Sequence, residues 1–368
     1  MNYKKTLYFV AKWLTITMEK KNKAEIENEL KTTNIDWDAV VKVSTGHYVF
    51  TALYCNLKRA NFLHYLPQEL VNYMQYITSL NRERNEKIIS QANELNRILL
   101  ANNIIPIFLK GTGNLLAGIY DDIAERMVGD IDFIFSKEDY SKAIIILREF
   151  GFSEVKKLEY YPPSESRHYR RLQKKNNIAA VEIHSKLISI RKYTNEFDFN
   201  FVERDSQVIK GVNVLSYANK LNLSIIAFQI NDYGFEDKTI AIRNAYDVFL
   251  LSKKTNAKDA LKKLNKLTHP LNCFLASCYE VFNTVESLKY EQNKKVFSYL
   301  NTFNKQLVNP KRIKRKTKSY KIYIFIKRFF FILNKSIKHK EYRVFMFKSF
   351  TNKKWFIQKL IQLGLKKS

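Results

Sequence analysis

The feature that most constrains this chain is a run of mostly apolar, β-forming residues, 128–135, that also carries two acids. Asp130 and Asp132 lie two positions apart within it. Because residues i and i+2 of a strand point to the same face, the two carboxylates would lie side by side. Adjacent carboxylates repel each other and are costly to bury unless a cation lies between them. The run therefore predicts a buried strand that binds a divalent metal ion. Such sites usually hold Mg²⁺ together with the phosphate groups of a nucleotide.

Short runs of β-forming residues on either side predict a central unit of strands and helices. Strands are expected over residues 104–109, 131–135, 152–158, 168–173, 178–184, 208–209 and 212–215, with helices over 115–120 and 137–150. Two strand pairs are separated by short turns, residues 174–177 and Lys210–Gly211, of the kind that closes a β-hairpin. The central unit is thus expected to be of mixed α and β structure.

Outside this unit, apolar residues recur at three- and four-residue spacing, which is typical of amphipathic helices. The spacing predicts helices over residues 39–57, 66–80 and 85–101, and then over 221–230, 240–251, 260–267 and 271–288. We therefore predict an α+β protein in four parts. These are a helical N-terminal region (1–102), the central unit (103–216), a helical C-terminal region (217–310) and a tail (311–368).

A third acid, Glu182, lies between two apolar residues of a predicted strand. Its side chain would point away from those neighbours, so it can join Asp130 and Asp132 from an adjacent strand. Three carboxylates can hold one or two Mg²⁺ ions, whose remaining positions a triphosphate fills. The alternative is an exposed strand residue that pairs with Lys186 or Arg170.

The turn before the acidic strand contains Gly111 and Thr112. Backbone N–H groups at the start of the following helix would bind the β- and γ-phosphates of a nucleotide, assisted by the helix dipole. Lys110 and Arg126 are close enough in sequence to neutralise phosphate charge. The alternative for both cations is a surface position or an ion pair with an acid of residues 121–125.

Two further observations leave their interpretation open. His184 shares the predicted face of Glu182, so it can contact substrate or serve as a buried histidine with satisfied hydrogen bonds. Arg243 and Asp247 lie four residues apart on a predicted helix, and an intrahelical ion pair is the expected arrangement.

A resemblance to a known family rests on five parts of the sequence: residues 109–111, Tyr120, Arg126, residues 129–132 and residues 181–184. In these the chain is similar to the uncharacterised nucleotidyltransferase family of the DNA polymerase β-like superfamily. The similarity extends from about residue 35 to residue 255. Two departures are the Gly-Thr-Gly turn in place of Gly-Ser, and Glu in place of Asp as the third acid.

The resemblance implies a polymerase β-like core, a small mixed sheet with helices. It also implies that Asp130, Asp132 and Glu182 are the catalytic, metal-binding carboxylates and that Gly111 and Thr112 form the phosphate turn. The implied reaction transfers a nucleoside monophosphate from a nucleoside triphosphate such as ATP to a hydroxyl group. A sugar or polysaccharide precursor, a protein and an RNA end are all compatible acceptors. The alternative is a non-catalytic nucleotide- or RNA-binding protein on the same fold.

The tail holds a disproportionate share of the positive charge. Residues 311–368 contain nineteen lysines and arginines and a single acid, Glu341, so they supply +18 of the net charge of +28. Aromatic residues are interleaved with these cations, as in segments that lie on an anionic membrane surface or bind RNA. Packing of the aromatic residues on the rest of the protein is the third interpretation.

The sequence favours a cytoplasmic protein. If the tail lies on an anionic membrane surface, the protein would be peripheral to the inner face of the membrane. No stretch reaches the roughly eighteen apolar residues that a transmembrane helix needs. Lys12 interrupts the apolar run near the N-terminus, and no small-residue cleavage site follows it. The three cysteines form no CxxC pair and match no zinc spacing, as expected for core residues in a reducing compartment.

Overall fold

The computed structural model describes residues 2–155 and 167–366. Of the predicted strand over 152–158, residues 156–158 lie outside the described residues. Within the described ranges the α+β class is confirmed, because helices precede and follow one mixed sheet.

The sheet has seven strands within the described ranges, in the order β3-β4-β5-β2-β1-β7-β6. The strands are β1 (Ile107–Phe108), β2 (Asp130–Ile134), β3 (Ser153–Glu154), β4 (Leu172–Gln173), β5 (Ala180–His184), β6 (Gln207–Ile209) and β7 (Val212–Val214). The pairs β2–β5 and β1–β7 are parallel, and the other pairs are antiparallel. Both predicted hairpins, β4–β5 and β6–β7, are confirmed, with left-handed residues Asn176 and Lys210 in their turns.

Helices make up most of the described chain. Those before the sheet are α1 (Tyr3–Trp13), α2 (Lys20–Thr32), α3 (Trp37–Gly46), α4 (Phe50–Ala60) and α5 (Gln68–Ala101). Within the sheet region lie α6 (Lys110–Leu116), α7 (Lys137–Glu149) and α8 (Phe199–Glu203). The later helices are α9 (Tyr217–Ile226), α10 (Gly234–Asp237), α11 (Ile242–Ser252), α12 (Ala257–Lys262), α13 (Thr268–Val281), α14 (Lys294–Val308), α15 (Pro310–Lys338), α16 (Lys340–Thr351) and α17 (Lys353–Gln362).

The structure corrects two predicted helix boundaries in the N-terminal region. The single helix expected over residues 39–57 is two helices, because Tyr48 takes a left-handed conformation with φ of 57° between α3 and α4. The two helices expected over 66–80 and 85–101 are one continuous helix, α5. The polar residues between them include no glycine or proline, so nothing there interrupts the helix.

The turn expected over residues 110–114 is helical, because α6 begins at Lys110 and ends at Leu116 rather than Tyr120. Its first residue, Lys110, has a φ of 49°. The helix packs tightly on β1 at Gly113, where an added Cβ would lie 2.6 Å from the carbonyl oxygen of Phe108. Only glycine permits this approach, which holds the start of α6 beside the sheet.

Replacing Gly113 with alanine is therefore expected to destabilise the protein by about 1–3 kcal/mol or more, since the new methyl group would meet rigid backbone. Chemical denaturation of the two proteins measures the change. Gly46→Ala is the matched control, because Gly46 is helical and its added Cβ would meet nothing within 4 Å. That substitution should be neutral or stabilising. Equal denaturation midpoints for Gly113→Ala and the wild type would show that the close packing of α6 on β1 does not contribute to stability.

One continuous set of buried apolar residues runs from Leu7 in α1 to Leu307 in α14. All seven strands of the described residues fall between residues 107 and 214, within the predicted central unit. The division into four parts stays a prediction, since this core is shared by the helical regions and the sheet.

The tail forms α15, α16 and α17, with α15 beside α10 and α14. The Tyr320 ring lies 5.5 Å from that of Tyr233, just before α10. Many aromatic side chains of the tail are exposed rather than packed on the body, among them Phe330 (63% exposed) and Phe347 (72%). None of the helices in the described ranges combines the length and apolarity that crossing a membrane requires.

Candidate functional site

The predicted acids meet on one face of the sheet because β2 and β5 are adjacent and parallel. The register places Asp132 beside Glu182, and Ile134 beside His184. Alternation along each strand then puts Asp130 on the same face as Asp132, and His184 on the same face as Glu182. The apolar residues between them, such as Ile131 and Val181, are fully buried and keep the two strands in the core.

Three of these side chains form a group that can hold a metal ion. One ligand atom each from Asp132, Glu182 and His184 lies within 4.8 Å of the others. Two carboxylates and an imidazole are a common donor set for divalent first-row metals, and the carboxylates also suit Mg²⁺. The predicted set was Asp130, Asp132 and Glu182, so His184 takes the place that Asp130 was expected to fill in this group.

Lys110 supplies the positive charge between the two carboxylates in this structure. Its Nζ lies 2.5 Å from Oδ1 of Asp132 and 3.8 Å from Oε2 of Glu182. Burial opposes ionisation of Asp132, but the Lys110 charge and the contact with His184 outweigh it and hold the pKa of Asp132 well below its usual range. Asp132 is therefore ionised at neutral pH.

His184 is buried and fixes the orientation of Asp132. Its Nε2 lies 2.8 Å from Oδ1 of Asp132 and 3.2 Å from Nζ of Lys110. Burial, then the charge of Lys110, lowers the pKa of His184 to about 4, so the ring is neutral at pH 7. Its Nδ1 is buried and has no hydrogen-bond partner among the described residues. A neutral imidazole is the form in which histidine binds metal ions.

Asp130 is paired with Arg171, a residue that the sequence reasoning did not single out. The guanidinium of Arg171 contacts Asp130, and its Nε lies 3.1 Å from Oε1 of Glu182. Arg171 thus bridges the two acids from the position just before β4, the strand next to β5. The expected alternative partner of Glu182, Arg170, pairs with Glu154 instead. Only the pairing of β4 with β5 reveals Arg171, because nothing in its local spacing points to the site.

Gly111 and Thr112 form the first turn of α6 and are both buried. A Cβ on Gly111 would lie 2.9 Å from Cγ2 of Val128 and 3.7 Å from Cζ of Arg126. The Thr112 hydroxyl donates to the carbonyl oxygen of Asp130 at 2.7 Å, which ties α6 to the start of β2. Any phosphate contact here would come from backbone N–H groups, and the role of this turn stays a prediction.

Arg126 is buried beneath that turn and paired with Asp247. Its Nε donates to both carboxylate oxygens of Asp247, at 3.1 and 3.2 Å, and its Nη1 donates to the carbonyl oxygen of Met127. The hydroxyl of Tyr120 donates to the same carboxylate at 2.7 Å. The expected intrahelical pair of Asp247 with Arg243 is therefore wrong. The phosphate role of Arg126 stays a prediction.

One alternative paired Lys110 or Arg126 with an acid of residues 121–125, and the structure shows that it is wrong. Arg59 lies 2.6 Å from Glu125, and Arg82 lies 2.6 Å from Asp122. Lys110 thus has its charge partners inside the acidic group rather than at the surface.

One comparison with known proteins gives a match, to a protein family. The model of a protein family described as uncharacterised nucleotidyltransferase matches residues 33–286, a range that contains every residue of the site. No curated protein and no solved structure gives a significant match to the chain.

Proposed function

The chain belongs to the uncharacterised nucleotidyltransferase family, and from this premise we propose that it transfers a nucleoside monophosphate from a nucleoside triphosphate to a hydroxyl acceptor. The observation that carries the proposal is the group of Asp132, Glu182 and His184, whose ligand atoms lie within 4.8 Å of one another. Such a buried acidic group on adjacent parallel strands is what metal-dependent phosphoryl chemistry needs.

We propose that Asp132 and Glu182, with His184 or Asp130, hold one or two divalent ions, Mg²⁺ or Mn²⁺. A bound ion supplies neutralisation of phosphate charge and a lowered pKa for the attacking hydroxyl. The neutral ring of His184 keeps the Asp132 carboxylate in one orientation. Glu182 is less buried than Asp132, and we assign it the acceptance of the proton from the acceptor hydroxyl.

Lys110 and Arg171 are proposed to bind the phosphate groups. Both cations now neutralise the acids, Lys110 at Asp132 and Arg171 at Asp130 and Glu182. A divalent ion held by these acids would supply the compensating charge, and the two long side chains would then be available to phosphate oxygens. The presence of two cations beside three acids supports a site for a metal and a triphosphate together, with the Gly111–Thr112 backbone as a further phosphate contact.

The acceptor is a hydroxyl of a sugar or polysaccharide precursor, a protein or an RNA end. The test incubates the purified protein with each of the four nucleoside triphosphates, Mg²⁺ or Mn²⁺ and a mixed cell extract. Release of pyrophosphate with transfer of α-³²P label to an extract component is the expected result. If the protein binds nucleotide in a metal-dependent way but releases no pyrophosphate under any of these conditions, the non-catalytic alternative is favoured.

We further propose that the tail lies on an anionic membrane surface. Exposed aromatic and aliphatic side chains among lysines and arginines favour a lipid surface over packing on the body, since Phe330, Ile337 and Phe347 are all more than 60% exposed. An RNA partner would use the same cations and is the competing outcome.

The double substitution Phe330→Ser with Phe347→Ser is expected to reduce binding to vesicles containing anionic lipid by about tenfold or more, because two large apolar side chains no longer enter the interface. Co-sedimentation with phosphatidylglycerol vesicles measures it. Phe297→Ser is the control, since Phe297 is 66% exposed on α14, outside the tail. Unchanged sedimentation of the double variant, or binding to RNA but not to vesicles, would contradict the membrane proposal.

A further inference from the structure

Arg243 is a partly buried cation, and it forms no ion pair with any other residue that the structure describes. It lies in the first turn of α11, and its Nε is buried with no hydrogen-bond partner among the described residues. The carboxylate one helical turn away, Asp247, is bonded to Arg126. Asp247 therefore compensates Arg126 directly, and it acts on Arg243 only as a neighbouring charge. Burial and the neighbouring charge of Arg126 lower the pKa of Arg243, as expected where a cation lacks compensation.

Tyr48 covers the guanidinium of Arg243 from a strained backbone position. The Cζ of Arg243 lies 5.1 Å from the centre of the Tyr48 ring, which stays 54% exposed. Tyr48 has a φ of 57° just after α3, a place that glycine or asparagine usually occupies. A tyrosine there costs about 1–2 kcal/mol relative to the ordinary helical region. Strained residues cluster at functional sites, and ordinary turns of this protein such as the one at Lys210 contain them as well.

The strained turn is fixed to the start of α11 through His47. The Nδ1 of His47 accepts a hydrogen bond from the N–H of Ile242 at 3.3 Å, and its Nε2 is hydrogen-bonded to the Tyr3 hydroxyl at 3.0 Å. Burial lowers the pKa of His47 to about 4, so this bridge does not change charge near neutral pH. His47 thus holds the backbone before Tyr48 against the start of α11, which keeps the Tyr48 ring near the guanidinium of Arg243.

Arg243 lies on the Gly111 side of the acidic group. Arg126, whose partner Asp247 lies one helical turn from Arg243 on α11, has its Cζ 3.7 Å from the Cβ position of Gly111. Asp232 is a second group of this region that feels cations of the site. Burial raises the pKa of Asp232, while the charges of Arg167, Lys110 and Arg243 act to lower it.

We propose that Arg243, supported by Tyr48, binds a phosphate group of the substrate at the edge of the site; this inference rests on the proposed nucleotidyl transfer. A guanidinium offers a fixed fork of N–H donors that matches phosphate oxygens, and it stays charged at all working pH values. The phosphate belongs either to the triphosphate of the nucleotide or to a phosphorylated acceptor. Both sources present the same chemistry to Arg243.

The experiment measures binding of inorganic triphosphate to the full-length protein by calorimetry, with a chelator present so that no metal or turnover is needed. Arg243→Gln is expected to weaken binding about ten- to a hundredfold, because a charge-assisted, forked contact is lost. Arg243→Lys should recover part of the affinity, since it keeps the charge without the fork. Arg148→Gln is the control, because Arg148 is half exposed and paired with Glu154 away from the acidic group. Equal affinities for Arg243→Gln and the wild type would overturn the proposal.

A second variant, Tyr48→Asn, guards against misfolding. Asparagine accepts the left-handed conformation, so the protein should keep its melting temperature while triphosphate binding weakens. Tyr48→Asn binding equal to the wild type would overturn the role of the ring.

Competition identifies the source of the phosphate. Displacement of triphosphate by a nucleoside triphosphate assigns Arg243 to the nucleotide, and simultaneous binding assigns it to the acceptor; both support a phosphate site. The two proposals can fail separately. If triphosphate binding depends on Arg243 but the protein transfers no nucleotide, the phosphate site is supported and the proposed nucleotidyl transfer is wrong.

Discussion

Replacing Asp132 with asparagine is expected to lower the rate of nucleotidyl transfer by about a thousandfold or more, the scale of losing one preorganised charge at a reacting phosphate. Asp132 is the most buried acid of the site and contacts both Lys110 at 2.5 Å and His184 at 2.8 Å. Its lowered pKa keeps it ionised at neutral pH. The amide has the same shape but neither binds a divalent ion well nor compensates Lys110. Pyrophosphate release at saturating nucleotide and metal measures the loss.

A comparison inside the site sharpens this prediction. Asp130→Asn should lower the rate of nucleotidyl transfer less than Asp132→Asn does, because Asp130 is outside the group of three ligand atoms and is paired with Arg171. If His184 belongs to the metal site, His184→Gln should lower this rate more than Asp130→Asn does. Melting temperatures of all three variants control for folding. Activity of Asp132→Asn within tenfold of the wild type would exclude the proposed role of Asp132.

Replacing Asp247 with asparagine is expected to destabilise the protein by about 3–5 kcal/mol, the usual consequence of leaving a buried charge without its partner. Arg126 is buried, with 7% of its surface exposed, and its Nε donates to both oxygens of Asp247. Tyr120 also donates to this carboxylate, and Arg243 lies near it. The substitution therefore leaves the buried guanidinium of Arg126 without its partner and removes the negative charge nearest Arg243 on its own helix. The midpoint of urea unfolding measures the change in the free energy of unfolding.

Asp259→Asn is the matched control for this second prediction. Its ion pair with Lys262 is exposed on both sides, at 63% and 65%, and exposed pairs contribute about 1 kcal/mol or less. A shift of similar size for Asp247→Asn and Asp259→Asn would mean that the buried pair does not hold α11 to the segment before β2.

The strands of the site were predictable because their signals are local. Two acids at i and i+2 in an apolar run define a strand face, and Glu182 flanked by apolar residues defines another. Both hairpins were likewise predictable from asparagine or glycine in short turns. The break at Tyr48 was not predictable, because its left-handed backbone is held by contacts of His47 with Ile242, far away in the chain.

The sequence by itself determined that this chain has an acidic strand face in an α+β unit and resembles a nucleotidyltransferase family that the match over residues 33–286 confirms. Residue types and their spacing suffice for this, since side-chain alternation is a local property of a strand. Only the tertiary structure decided which groups meet those acids. The register of β2 with β5 brings in His184, and the pairing of β4 with β5 brings in Arg171. Helix packing pairs Asp247 with Arg126 rather than with Arg243. Such partners depend on strand pairing and helix packing between distant segments, which no local pattern encodes.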